Sequence, residues 1–308
     1  MSATSSTQPR KSLIGLVSDF LGMIRFSHTL FALPFALAAL VLAWQKTDRL
    51  HWPEWALDLA GIVVCMVLAR STAMGFNRLV DHRYDASNPR TANRHLPTGR
   101  LSRTAVWGFT LLCGLGFVVS TFHFVLHNDN WWPVYLSVPV LLFICAYSLT
   151  KRFTSLSHFW LGASLMLAPV ATWLAITGGL ALAPMLLGLA VLCWVAGFDI
   201  IYACQDVDFD RKAGLHSVPA RLGVSNALRV SMLCHLVMLG LLVGVGIAAE
   251  LGWVYYVGIG IIAGLLVYEH WLVRPDDLSR VNAAFFHVNA VISVGLFVLI
   301  VADVWLVR

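Results

Sequence analysis

The feature that most limits how this chain can fold is a succession of nine apolar runs, each about long enough to cross a bilayer. They cover roughly residues 20–44, 57–77, 105–126, 133–150, 159–177, 180–203, 228–249, 252–273 and 284–306. A helix needs about 20 mostly apolar residues to traverse the hydrocarbon core. The runs therefore predict an all-α, multi-pass membrane bundle of nine transmembrane helices. Composition agrees: 59% of the 308 residues are hydrophobic and only 12% are charged, where soluble domains carry about a quarter charged residues. Pro34, Pro139 and Pro169 fall inside runs, which membrane helices tolerate. The six cysteines lie in or beside apolar runs without a C-x-x-C pair, which argues against a zinc or redox site. Residues 1–19 form a polar N-terminal segment and 20–308 one helical domain. The first run is longer than a signal-peptide core and is expected to be a retained span.

The loops carry the orientation. Six arginines lie between residues 78 and 104, Lys151 and Arg152 follow the fourth run, Arg211, Lys212 and Arg221 follow the sixth, and Arg274 and Arg280 follow the eighth. The alternate loops hold no Lys or Arg, apart from Lys46 and Arg49. Positive residues stay on the cytoplasmic side, so the N-terminus and every basic loop are expected to be cytoplasmic. The basic residues do not cluster on a soluble face, so the formal charge of +5 does not point to a nucleic acid; the partner is the lipid bilayer.

Two of these loops open on paired acids. The second run ends Asn77-Arg78-Leu79-Val80-Asp81-His82-Arg83-Tyr84-Asp85, and the sixth ends with Asp199, Tyr202, Asp206 and Asp210. Residues four apart share a helix face, where like charges repel. A cation must offset them, and Mg²⁺ suits the chemistry: it is hard, and it is held by one or two carboxylates plus substrate phosphates. Two such clusters facing each other could grip a diphosphate. Asp208 is off the shared face and is expected to be solvated. Asp206 and Asp210 each lie 125 residues after Asp81 and Asp85. The phrases Leu96-Pro97-Thr98-Gly99-Arg100-Leu101 and Val218-Pro219-Ala220-Arg221-Leu222-Gly223 follow in turn, hinting at a parallel duplication. An ion-coupled transporter would instead place acids near the middle of spans, on inverted repeats. Arg25 and Arg70 interrupt apolar runs, and an intramembrane arginine usually faces a polar cavity. Either could bind a carboxylate. The pair Glu269-His270 reads as a satisfied polar pair rather than a metal site or proton path.

At these residues the sequence resembles the UbiA superfamily of intramembrane prenyltransferases. The family patterns N-x-x-x-D-x-x-x-D and Y-A-x-x-D-x-x-x-D match Asn77/Asp81/Asp85 and Tyr202/Ala203/Asp206/Asp210. Arg90-Thr91-Ala92-Asn93-Arg94-His95-Leu96-Pro97-Thr98-Gly99 is similar to the family's R-T-A-x-R-x-L-P-x-G, and Tyr147 with Lys151 and Arg152 to its Y-x-x-x-K-R. The resemblance implies nine helices around a central cavity, and Mg²⁺-dependent transfer of a prenyl chain from a polyprenyl diphosphate to an aromatic acid such as 4-hydroxybenzoate in ubiquinone synthesis. It implies Asn77, Asp81, Asp85, Asp206 and Asp210 around the metal, and Arg94, Tyr147, Lys151 and Arg152 toward the substrate. Asp199 and Tyr202 then orient the acceptor, take its proton or steady the allylic cation, while Arg25 binds the acceptor carboxylate. Many members read N-D where this chain reads Asn77-Arg78. That phrase, Asn88-Pro89-Arg90-Thr91 and His216-Ser217-Val218-Pro219 look more like the 4-hydroxybenzoate-like enzymes of menaquinone synthesis, whose acceptor is a dihydroxynaphthoate. Haem and chlorophyll prenyltransferases are sister possibilities. The expected location is a bacterial inner membrane.

Overall fold

A computed structural model describes residues 13–24, 31–49 and 51–306. Among them the secondary structure is helical, apart from an isolated β-bridge between Arg274 and Asp277. The helices are α1 (Leu13–Met23), α2 (Leu33–Thr47), α3 (Glu54–Ser87), α4 (Arg103–Asn128), α5 (Trp132–Thr150), α6 (Ser157–Thr177) and α7 (Leu182–Ala203), followed by short α8 (Val207–Lys212) and α9 (Val218–Leu222). Then come α10 (Val224–Ala248), α11 (Trp253–Leu272), the single turn α12 (Val281–Ala283) and α13 (Asn289–Leu306). Eight helical segments are long and apolar enough to cross a membrane, α7 continuing through α8 as one of them. The chain is a multi-pass integral membrane protein.

The first predicted span is divided. α1 ends at Met23 and α2 starts at Leu33; residues 25–30 lie outside the described ones. With 15 residues, α2 is about 22 Å long, short of the ~30 Å hydrocarbon core. It is packed deep in the bundle, where Phe35, Ala36, Ala38, Ala39, Leu40 and Ala43 are almost wholly covered. α7 is the other interior helix. Leu187, Ala190, Val191, Trp194 and Val195 are fully buried along it. It runs so close to α6 that a Cβ on Gly162 would collide with the carbonyl oxygen of Leu192. The apolar residues left outside, such as Leu112 of α4 and Leu142 of α5, face the lipid that a bilayer supplies.

Buried polar groups pin the helices together. At one end Asp58 accepts from Trp44 Nε1 at 3.0 Å, from Arg49 at 3.1 and 3.2 Å, and from Asn128 at 3.2 Å. At the N-terminus of α11 the buried Asp303 accepts from the amides of Gly252 (2.6 Å) and Tyr255 (3.1 Å). This satisfies amides that a helix start leaves without intrahelical partners. Asn289 donates to Glu269 at 2.8 Å, accepts from Trp194 Nε1 at 2.7 Å, and reaches the carbonyls of Ala284 and Phe285. Those carbonyls belong to a π-helical turn, Ala284–Val288. His270 meets His235 at 2.9 Å. Glu269 and His270 thus belong to an internal polar cluster.

α3 decides where the polar chemistry goes. Its 34 residues extend about 50 Å, some 20 Å more than the hydrocarbon core. The turns carrying Asn77, Asp81 and Asp85 fall in the far part of the helix, close to its C-terminus.

Candidate active site

α3 closes at Ser87, and Asn88 begins the next segment with a local turn. Its side-chain Oδ1 accepts from the amide of Arg90 at 2.9 Å, across a proline that fixes one dihedral. This turn aims Arg90 across the bundle. Thr91 Oγ1 donates to the carbonyl of Asp85 at 3.0 Å, and Arg94 folds back onto Asp85 itself. Further on, Gly99 takes φ +69°, a left-handed conformation that glycine adopts without strain, and the chain turns into α4.

The second acidic element departs from a simple helix. Asp199 and Tyr202 are on α7, but residues Cys204–Asp206 form a 3₁₀ turn before α8 carries Asp210. The tighter turn still leaves Asp206 and Asp210 buried, and Asp208 is exposed, as expected. The amide of His216 donates to the carbonyl of Lys151 at 2.6 Å, so the segment after α8 is tied to the end of α5.

These elements enclose one pocket of about 170 Å³. Eleven of the candidate site residues read from the sequence line it: Asn77, Asp81, Asp85, Arg94, Tyr147, Lys151, Arg152, Asp199, Tyr202, Asp206 and Asp210. The two intramembrane arginines do not join them: Arg70 is not part of this lining, and Arg25 lies outside the described residues. Asn88, Arg90 and Thr91 join the lining.

Within the pocket each of the four motif carboxylates has its own cation. Arg152 Nη2 lies 3.5 Å from Asp81 Oδ1, Arg94 Nη1 2.6 Å from Asp85 Oδ1, and Lys151 Nζ 3.9 Å from Asp210 Oδ2. Arg90 takes Asp206 in a two-pronged grip: Nε donates to Oδ1 at 2.8 Å and Nη2 to Oδ2. Arg90 also donates to Tyr202 Oη at 2.6 Å and sits 4.9 Å from its ring centre. Burial works against the charge on Arg90, but its bonds to Asp206 and its contacts with Tyr202 outweigh this and hold its pKa above the usual value. Asn77 donates to Asp81 at 2.7 Å while its Oδ1 accepts from Arg78 at 3.1 Å. The positive charge that the acid pairs require is therefore largely supplied by the protein's own basic loops.

Two carboxylate oxygens are less well served. Asp85 Oδ2 and Asp210 Oδ2 are buried without a hydrogen-bond partner, an arrangement that is costly unless something else fills it. Among the described residues no group of three or more His, Cys, Asp or Glu side chains converges to hold a metal. The donors on offer are hard oxygens, and a cation that takes one or two carboxylates and completes its shell with phosphate oxygens fits them.

His158 is a site residue that the sequence reading missed. Its ring is fully buried at the start of α6, with Nδ1 2.7 Å from Asp199 Oδ2. Nε2 accepts from the amide of Val218 at 3.3 Å. Because Nε2 accepts, the ring proton is on Nδ1 and points at Asp199. Arg70 also stands apart. It lies seven residues before Asn77 on the same face of α3, about 10 Å along the helix. Its Nε is buried, and the residue makes no hydrogen bond or ion pair among the described residues.

The profile of the UbiA prenyltransferase family matches residues 32–291. The 4-hydroxybenzoate octaprenyltransferase of Tolumonas auensis is 33% identical over 256 residues, covering 79% of this chain and 87% of its own. That of Pseudomonas savastanoi pv. phaseolicola is 32% identical over 267 residues, covering 82% and 88%. Among solved structures, the apo form of a UbiA homologue from Aeropyrum pernix K1 superposes with a TM-score of 0.78 at 29% identity, over 90% of this chain and 98% of that one. A UbiA homologue from Archaeoglobus fulgidus bound to GPP and Mg²⁺ shares the fold, with a TM-score of 0.65 at 18% identity over 92% and 99% of the two chains. The chain belongs to the UbiA prenyltransferase family and is a membrane prenyltransferase similar to the 4-hydroxybenzoate octaprenyltransferases.

Proposed function

We propose that this enzyme transfers a prenyl chain from a polyprenyl diphosphate to an aromatic acid acceptor, 4-hydroxybenzoate or a dihydroxynaphthoate, in quinone synthesis. The observation that carries the reading is the pocket in which two carboxylate pairs and four cations meet, with Asp85 Oδ2 and Asp210 Oδ2 left without hydrogen-bond partners. Asp81 and Asp85, with Asn77, would hold one Mg²⁺, and Asp206 and Asp210 a second. Bound there, Mg²⁺ supplies Lewis acidity that stabilises charge on the diphosphate as it leaves.

The chain's own residues do the rest. Arg94, Lys151 and Arg152, joined by Arg90, exchange carboxylate for phosphate and stabilise the negative charge that grows as the C–O bond breaks. Such preorganised charge is usually the largest catalytic term, worth several kcal/mol. The bond's electron pair leaves with the diphosphate, and the allylic cation is attacked by a carbon of the electron-rich acceptor ring. The ring proton then passes to Asp199, which His158 holds in place. Tyr202 and Tyr147 wall the reacting end. Arg70 receives the acceptor carboxylate, supported by its unpartnered Nε and its depth below the acids. Arg25, the other intramembrane arginine, remains a candidate for the same role. We also infer nine membrane helices, with α1 and α2 together forming the first, around a central cavity for the isoprenoid tail. The basic loops and N-terminus face the cytoplasm of a bacterial inner membrane.

The test is prenyl transfer by membranes containing the protein, with Mg²⁺, a labelled prenyl diphosphate, and either acceptor. Label in one product, lost on chelation, is the expected result. Absence of product from well-inserted protein across several chain lengths and a wider acceptor panel would overturn the substrate assignment.

A further inference from the structure

A second hollow, about 680 Å³, lies on the outer flank where α3, α4 and the end of α5 meet. It differs from the active-site pocket in one respect that decides its chemistry: it is lined by Arg83, Arg103 and Arg152 but by no Asp or Glu. Arg83 and Arg103 are exposed and have no ion pair among the described residues. Carboxylate-held metal chemistry is therefore impossible here, and an anion is what the walls attract.

The rest of the lining says what kind of anion. Leu79, Trp107 and Leu149 supply apolar surface beside the arginines. From Arg103 a single stripe runs along α4 at four-residue intervals: Trp107 (42% exposed), Leu111 (65%), Leu115 (64%) and Val119 (60%). Consecutive residues at this spacing touch and form a ridge inclined about 26° to the helix axis. A cation, then an interfacial tryptophan, then three uncovered aliphatic side chains follow the polarity of a phospholipid from headgroup to acyl chain. Tryptophan favours the headgroup level of a bilayer, and basic pockets between membrane helices hold anionic headgroups.

We propose that this hollow binds the headgroup of an anionic phospholipid, from the leaflet nearest the active site, with an acyl chain lying along the Leu111–Val119 stripe. The site borders the catalytic pocket: Tyr84 and Arg152 line both, with the guanidinium 5.4 Å from the Tyr84 ring centre. Arg152 is also the partner of Asp81. A bound headgroup thus touches the same guanidinium that steadies the first acid motif.

The experiment is a lipid titration of the purified full chain in detergent, read by native mass spectrometry, with phosphatidylglycerol against phosphatidylcholine. The wild type is expected to prefer phosphatidylglycerol. Each arginine near a headgroup contributes a factor of about five, so R83Q/R103Q should weaken phosphatidylglycerol binding roughly 25-fold and leave phosphatidylcholine unchanged. Neither residue lines the catalytic pocket, so prenyl transfer in detergent, within about twofold of wild type, serves as the folding control; the single variants replace the double one if it fails this control. Inorganic phosphate and diphosphate are added as competitors and are expected not to displace the lipid. Equal affinity of the two lipids, undiminished phosphatidylglycerol binding by the variants, or displacement by millimolar diphosphate would each overturn the proposal, the last by assigning the hollow to a soluble anion.

Discussion

Arg70 offers the sharpest test of how the acceptor is held. Its Nε is buried and unpartnered, and the side chain makes no ion pair among the described residues, so none of its bonding capacity is spent on them. A carboxylate gripped by two N–H groups makes charge-assisted bonds of about 1.5–3 kcal/mol each, together about 3–4 kcal/mol after non-additivity. Arg70→Met removes the grip and keeps much of the volume. With a carboxylated acceptor kcat/KM should fall about 10²–10³-fold, mostly in KM, because the contact is made before and during the reaction alike. With the matching phenol or naphthol that lacks the carboxylate, the wild type should already have lost that factor, and the variant should lose no more. Thermal stability should hold or rise, since the substitution removes a half-buried charge that has no ion pair among the described residues. Steady-state prenyl transfer with both acceptors, together with a melting curve, completes the cycle. A wild-type KM for the carboxylated acceptor, or an equal loss on both acceptors, refutes the assignment.

Other substitutions probe the rest of the framework. Asp81→Asn, or Asp206→Asn, should lower turnover by at least about 10²-fold while leaving the protein inserted and folded; wild-type rates would end the metal assignment. His158→Ala leaves Asp199 and the Val218 amide without their partner, so kcat should drop by about 10²-fold through misplacement of Asp199, with little change in the KM of the prenyl donor. A matching rise in donor KM would place His158 in diphosphate binding instead. Asn289→Ala strips partners from Glu269, Trp194 and two carbonyls of the π turn. It should destabilise the protein by about 2–4 kcal/mol, seen as a lowered melting temperature, and an unchanged melt would mean the cluster is hydrated rather than dry.

The helices were legible because lipid imposes one rule on every span, and apolar length is written residue by residue. The lining of the candidate site was legible for a related reason: acids and bases repeated at helical spacing beside a bilayer have few places to go, and those of the two acid motifs meet in one pocket with Arg94, Lys151 and Arg152. The end of α1 at Met23 was not, since composition alone does not mark where a helix stops within such a run, nor how short and how deeply covered α2 is. The 3₁₀ turn at Cys204–Asp206 was hidden because three residues tightening between two α-helical stretches leave no periodicity of their own. His158 carries no pattern: a lone histidine at a helix start gains meaning only when the fold brings Asp199 and the Val218 amide to its two nitrogens. The matching of each acid to a particular cation depends on loop paths such as the Asn88 turn, which no periodicity records.

The one-to-one pairing of acids and cations has a thermodynamic consequence for the order of events on the proposed reading. A divalent ion arriving alone must draw carboxylates from four resident cations, and a diphosphate arriving alone meets five aspartates, Asp199 included. Either ligand by itself exchanges good partners for poor ones. With both present, the carboxylates would hold the ion and Arg90, Arg94, Lys151 and Arg152 would be free for the phosphates, so each ligand would remove the obstacle to the other. By linkage the two affinities must then rise by the same factor. On that reading the site would be a coincidence detector, answering weakly to either component in isolation and strongly to the pair.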